Sequence, residues 1–132
     1  MEIHRFETDL LLNWLNKKGR KPLIIRGARQ VGKSTLVRQL ASLRQRFCFE
    51  LNFERYPEHA DFFKSKDPTT ILNLLSVYFN QPLDPKTSVL FLDEIQATPE
   101  VIETLRYFYE ECPELPVIAA GSLLEFALSE PA

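Results

Sequence analysis

Along this chain the apolar positions alternate between helical stripes and short continuous runs. Phe6, Leu10, Leu11, Trp14 and Leu15 recur at helical spacing over residues 6–18, which predicts an amphipathic helix with that stripe turned inward. Lys17, Lys18 and Gly19 read as its basic last turn and its glycine stop. Behind Pro22, the run Leu23-Ile24-Ile25 predicts a buried strand. Leu36, Val37 and Leu40 mark the inner face of a second helix that runs from about Lys33 to Leu43.

The aromatic-rich stretch Phe47–Phe53 predicts a second strand, and residues 54–66, polar and aromatic by turns, a short helix within a loop. Asp67-Pro68 has the form of an N-cap followed by proline at the first helical position. The helix it opens would carry Ile71, Leu72, Leu75 and Phe79 inward. Pro82 and Pro85 interrupt the chain before a third strand, Val89–Leu92. Thr98-Pro99 is expected to cap a further helix with Val101, Ile102, Leu105 and Phe108 inside and Tyr109 in the same core stripe. Pro113 and Pro116 bracket the return to a fourth strand, Val117–Ala120, and Gly121-Ser122 is expected to start a last short helix. Strands alternating with helices in this order predict an α/β fold with a parallel sheet covered on both faces, as one domain over residues 1–132.

Between the first strand and the helix after it, Gly27-Ala28-Arg29-Gln30-Val31-Gly32-Lys33-Ser34 satisfies G-x-x-x-x-G-K-[ST] without a mismatch. Glycines let successive backbone N–H groups converge on phosphate oxygens, and the following helix adds its N-terminal dipole. Lys33 would serve the β- and γ-phosphates and the Ser34 hydroxyl a Mg²⁺ ion. The candidate nucleotide-binding residues therefore run from Gly27 through Thr35.

About sixty residues further on, Val89-Leu90-Phe91-Leu92-Asp93-Glu94 is an apolar run ending in two carboxylates. In a parallel sheet, ligands collect at the carboxyl ends of the strands, so Asp93 is expected to reach the Mg²⁺ ion. Glu94 is expected to be the base that orients and deprotonates the attacking water. Ser122 has two readings, a sensor of the γ-phosphate or the cap in a capping box with Glu125, and the two are compatible. Gln96 reads either as a nucleotide sensor or as a loop amide, and Arg29 as a phosphate contact or a structural ion pair. His4 and His59 lack companions at metal-ligand spacing and are expected at the solvated surface.

Composition narrows the field further. The 132 residues are 45% hydrophobic and 26% charged with net charge −2, a globular balance without the basic stripe that nucleic-acid binding requires. Cys48 and Cys112 lie far apart in apolar surroundings and are expected to be reduced and buried. The N-terminus has no signal-peptide pattern, and no apolar run approaches the length of a membrane span, which points to the cytoplasm.

Taken together, the phosphate loop Gly27–Ser34, the segment Phe91-Leu-Asp-Glu-Ile-Gln96 and the segment Val117-Ile-Ala-Ala-Gly-Ser-Leu-Leu-Glu-Phe-Ala-Leu128 resemble the AAA+-type P-loop ATPases of AAA domain family fourteen, found in bacteria and archaea. Leu51–Glu54 and Leu105–Phe108 also match that family's pattern, so the resemblance covers nearly the whole chain. It implies a three-layer ATP-binding core with Lys33 and Ser34 in the Walker A site, Asp93 and Glu94 as Walker B and Ser122 in the sensor position. It also implies ATP over GTP, since the guanine-reading Asn/Thr-Lys-x-Asp pattern is missing. Family members run longer, with a fifth strand beside the first, a helical lid and a C-terminal domain, none of which has residues here. The chain is therefore expected to be the N-terminal part of a larger ATPase. With an arginine finger supplied across a subunit interface in such proteins, a homo-oligomer and weak turnover by this chain alone are expected. Two other readings remain open: a nucleotide-binding or assembly fragment that never hydrolyses, and a kinase sharing the phosphate loop, for which residues 54–87 show no arginine-bearing lid.

Overall fold

In the computed structural model, residues 5–26 and 31–121 are described. Helix α1 spans Arg5–Asn16, β1 Leu23–Arg26, α2 Val31–Leu43 and β2 Phe47–Asn52. A 3₁₀ turn at Pro57–Phe63 leads to α3 (Pro68–Phe79) and β3 (Ser88–Asp93); a second, at Ile95–Ala97, leads to α4 (Pro99–Glu111) and β4 (Val117–Gly121). The four strands form one sheet in the order β1-β4-β3-β2, and every pairing is parallel. The predicted α/β fold with a parallel sheet is thus the observed one.

Side chains of successive strand residues point to opposite faces, and in β3 and β4 both faces are apolar. Leu90, Leu92, Val117 and Ala119 join a core with Ile71, Leu75, Val101, Leu105 and Phe108 of α3 and α4. Val89, Phe91, Ile118 and Ala120 join a second core with Leu11 and Leu15 of α1 and Val37 and Leu40 of α2. Three layers result, helices over helices with the sheet between them. Phe91 is fully buried at the centre, and burial of a side chain of that kind stabilises by about 1.5–3 kcal/mol.

Local chemistry sets the element ends. The Asp67 carboxylate accepts from the backbone N–H of Thr70 at 3.2 Å, the N-cap bond that the sequence predicts, with Pro68 in the first turn. Gly19, at φ 64°, takes the left-handed conformation that closes the segment after α1.

Five expectations are corrected. Leu10 is 53% exposed, so the inward stripe of α1 is Leu11 and Leu15, with Leu12 and Trp14 at its margin. Leu23, Ile24 and Ile25 are half-buried, because β1 pairs with β4 on one side and has no partner on the other among the described residues. Thr98 stands at the N-cap position of α4, yet its hydroxyl donates back to the Ile95 carbonyl at 3.4 Å and makes no cap bond. Tyr109 is exposed, its ring lying 5.8 Å from the Lys21 ammonium. His59 is buried, its ring stacked on Tyr56 and its Nε2 3.1 Å from the Tyr78 hydroxyl, because the 3₁₀ turn lays residues 57–63 against α3.

Both cysteines are free and half-buried, and burial pushes the Cys48 thiol up to about 12. No helix among the described residues is long and apolar enough to cross a membrane.

Candidate functional site

The candidate site lies where β3 ends and α2 begins. In β3 the burial is continuous from Ser88 to Asp93, so the strand delivers its terminal carboxylate to the edge of the core with almost no freedom. Asp93 is 6% exposed and Glu94 4%, an acidic pair largely withdrawn from water. On the other side, α2 starts at Val31 and carries Gly32, Lys33, Ser34 and Thr35 in its first turns.

Two atoms join these elements. The Ser34 hydroxyl donates to Asp93 Oδ2 at 3.2 Å, across 59 residues of sequence. Asp93 Oδ1 accepts from the backbone N–H of Glu94 at 2.9 Å. Beside them, Lys33 Nζ is buried and has no hydrogen-bond partner among the described residues. A buried charge without its partner costs several kcal/mol, so an ammonium held this way is matched to an anion that arrives from outside.

Burial pushes the Asp93 carboxyl above its usual range, and the charge of Glu94 pushes it the same way. The hydrogen bonds from Glu94 and Ser34 and the charge of Lys33 oppose this without overcoming it. The ionised form of Asp93 is therefore short of positive charge, which a divalent cation would supply.

Glu94 leaves β3 in the left-handed conformation, φ 54° and ψ 43°. That backbone is uncommon for a residue with a side chain and costs of order 1 kcal/mol. It reverses the chain into the Ile95–Ala97 turn, and Gln96 Nε2 then donates to Glu94 Oε1 at 2.8 Å. Gly121, the last residue of β4, lies so close to Gln96 that a Cβ at position 121 would collide with its side-chain oxygen. Glycine leaves that space to the end of the Gln96 side chain, which a Cβ would push aside.

The structure thus brings together Lys33, Ser34, Asp93 and Glu94. Gly27, Ala28, Arg29 and Gln30 of the phosphate loop lie outside the described residues, as do His4 and Ser122 with its expected helix and capping box. Gln96 lies in the turn after Asp93-Glu94 and donates to Glu94, a contact compatible with either of its two readings. Gly121 belongs to β4 and was missed as a site residue: its role depends on a contact between segments 25 residues apart in the chain, for which a single glycine gives no sign. Nearby, the Arg38 guanidinium meets both Glu50 oxygens at 2.9 Å, and that pairing, ahead of all else, raises its pKa.

Among solved structures, the Walker-type ATPase of Pyrococcus abyssi shares this architecture, with a TM-score of 0.58 at 18% identity. The match covers 98% of this chain and 48% of that one, so the chain spans about half the length of the relative. At that identity the likeness is one of fold. Comparison with curated proteins gives no match. The model of an AAA domain family matches residues 19–132, from the connection before β1 through the phosphate loop and all four strands. The chain belongs to this AAA domain family and is a nucleotide-binding, ATPase-like domain.

Proposed function

We propose that residues 1–132 act as one P-loop domain that binds ATP with Mg²⁺ at Gly27–Thr35 and hydrolyses it. The observation that carries this reading is the Ser34–Asp93 hydrogen bond at 3.2 Å beside the unpartnered, buried ammonium of Lys33. Lys33 binds the β- and γ-phosphates, which supply the negative charge its surroundings lack. Ser34 and Asp93 would hold the Mg²⁺ ion, whose chemistry is to neutralise the phosphate oxygens as the bond to the leaving group breaks. Magnesium in such sites takes one or two protein oxygens and completes its shell with phosphate and water, so this pair is a sufficient protein contribution. No larger cluster of His, Cys, Asp or Glu suited to a metal occurs among the described residues.

Glu94 accepts the proton of the attacking water as its oxygen bonds to the γ-phosphorus. The bond from that phosphorus to the β–γ bridging oxygen breaks, and ADP and phosphate leave. The hydrogen bond from Gln96 fixes one oxygen of the Glu94 carboxylate and so sets its orientation. Ser122, directly after Gly121, is proposed to contact the γ-phosphate. ATP is preferred to GTP because the guanine-reading Asn/Thr-Lys-x-Asp pattern is missing from the sequence.

Calorimetry with ATP and Mg²⁺ tests the proposal. Wild type is expected to bind saturably in a magnesium-dependent way and Lys33→Ala to lose that magnesium-dependent binding. Equal binding by the two proteins would sink the assignment.

A further inference from the structure

At the opposite end of the sheet from Asp93 and Glu94, the connections from helix to strand converge. Arg20 lies between α1 and β1, Arg46 between α2 and β2, Lys86 between α3 and β3, and Glu114 between α4 and β4. Together with Lys17 and Lys18 they line a cavity of about 440 Å³. β3 separates this cavity from the Asp93 end by six residues, or roughly 17 Å at the rise of a parallel strand.

Among the described residues the cations of this cavity have no carboxylate partner, a state shared outside it by Lys21, Arg44 and Arg55. Arg38, Lys64, Lys66 and Arg106 each pair with a carboxylate. By contrast, Lys17, Lys18, Arg20, Arg46 and Lys86 form no ion pair among the described residues. Arg20 directs its guanidinium to the carbonyls of Leu15, Lys17 and Glu114, and its buried Nε has no partner. Arg46 donates to the carbonyls of Pro85 and Ser88 at 2.9 and 3.0 Å. Burial, and after it the charge of Arg46, lowers the pKa of Arg20, so the two guanidiniums feel one another. The opposing acids are Glu114 in the lining and Asp84, whose charge reaches Arg46. Carbonyl dipoles at the helix C-termini offset part of the excess, about half a charge each. A surplus of positive charge remains, in a chain whose net charge is −2.

From this placement we infer a second ligand site, which takes a small anion carrying two or more phosphate groups. Its volume fits such a molecule. The backbone of a nucleic acid would instead need a basic stripe along an open surface. Arg46 is held through Nη1 alone, so its Nε and Nη2 donors stay fixed in direction, which suits bidentate contact with phosphate oxygens, while Arg20, with three of its N–H groups on carbonyls, adds charge. The three lysines add charge without fixed geometry.

Trp14, the single tryptophan of the chain, reports on this site, because the Arg20 guanidinium lies 5.7 Å from its ring centroid. The full chain is titrated with inorganic tripolyphosphate in magnesium-free buffer while Trp14 emission is followed. The same titration is made on Lys33→Ala, which removes the phosphate loop's ammonium, and on the double variant Lys17→Glu/Lys86→Glu. Both lysines of the double variant are exposed, so its melting temperature is expected to match wild type. The expected result is a saturable change that persists in Lys33→Ala and weakens at least about tenfold in the double variant. A flat wild-type isotherm overturns the inference. So does a signal lost with Lys33→Ala and unchanged in the double variant, which would leave the phosphate loop as the anion site. An oligothymidylate that binds through Lys17 and Lys86 and that tripolyphosphate does not displace would overturn it as well, by making the cavity part of a nucleic-acid surface.

Discussion

At the carboxyl ends of the strands, Asp93 and Glu94 stand beside one unpartnered ammonium, Lys33. At the amino ends, Arg20 and Arg46 share a cavity with three lysines and with Glu114 as the acid in its lining. The first arrangement is built from residues next to one another in sequence and aimed by a buried strand. The second collects single residues from four separate connections, held by backbone carbonyls. Both leave a buried nitrogen without a partner, Lys33 Nζ and Arg20 Nε. A parallel sheet gathers ligands at the carboxyl ends of its strands; the site inferred at the amino ends has no linear signature.

Substitutions can separate the two ends. The largest effect is expected from Glu94→Gln, which keeps the shape of the side chain and removes the base. Single-turnover hydrolysis should fall ~10²–10⁴-fold with ATP affinity unchanged; an unaltered rate would remove Glu94 from the chemistry. Lys33→Ala should weaken ATP binding by roughly 100-fold or more, since a charge-assisted contact in a buried site is lost. Tripolyphosphate binding at the amino end should persist in that variant, and its loss would mean that the ends are not independent.

Gly121→Ala sharpens the comparison without touching a charge. The added Cβ displaces Gln96, which releases the Glu94 carboxylate from its fixed orientation. A fall of about tenfold in turnover with constant ATP affinity is expected, in keeping with a misplaced base. Equal loss of affinity and rate would point instead to general damage at the end of β4.

The smallest effect concerns stability. The Asp93 carboxyl is held above its usual range by burial first and by Glu94 second. Its contribution to the nucleotide-free protein is therefore most favourable below the ordinary carboxylate range and is lost as pH rises through its raised value. Asp93→Asn should flatten that dependence and raise the nucleotide-free melting temperature near neutral pH by roughly 1–4 °C. The same variant should lose magnesium-dependent nucleotide binding. A melting curve as steep in pH as that of wild type would contradict the cause assigned to the shift.

Most of the fold was legible because its signals are local. Alternating strands and helices and the Asp67-Pro68 cap each depend on a few adjacent residues, and each stands where the pattern predicts; α1 instead ends at Asn16, before the expected basic turn and glycine stop of Lys17-Lys18-Gly19. The misread positions depend on what lies across the fold. Leu10 fits the helical stripe, yet its neighbours in space leave it uncovered. His59 looks like a surface residue until Tyr56, Phe62 and Tyr78 close around it. Within the site, Lys33, Ser34, Asp93 and Glu94 could be read from motif and spacing. The Gln96–Gly121 approach could not, because it requires β4 to lie beside β3 with Val117 opposite Leu90.

The strand order has a consequence for how the protein is made. β1, which leads into the phosphate loop, pairs with β4, the last strand of the sheet, with Leu23 opposite Ile118. On the ribosome those partners appear roughly 95 residues apart, a delay of roughly 5–20 s at ~5–20 residues per second. During that interval β1 has no β4 to pair with; Leu23 and Ile25 are covered by α1 and α2, and Ile24 waits for the core of α3 and α4. The strand that leads into the phosphate loop is thus made well before the strand that pairs with it, so β1 gains its place in the sheet only once Val117–Gly121 has been synthesised.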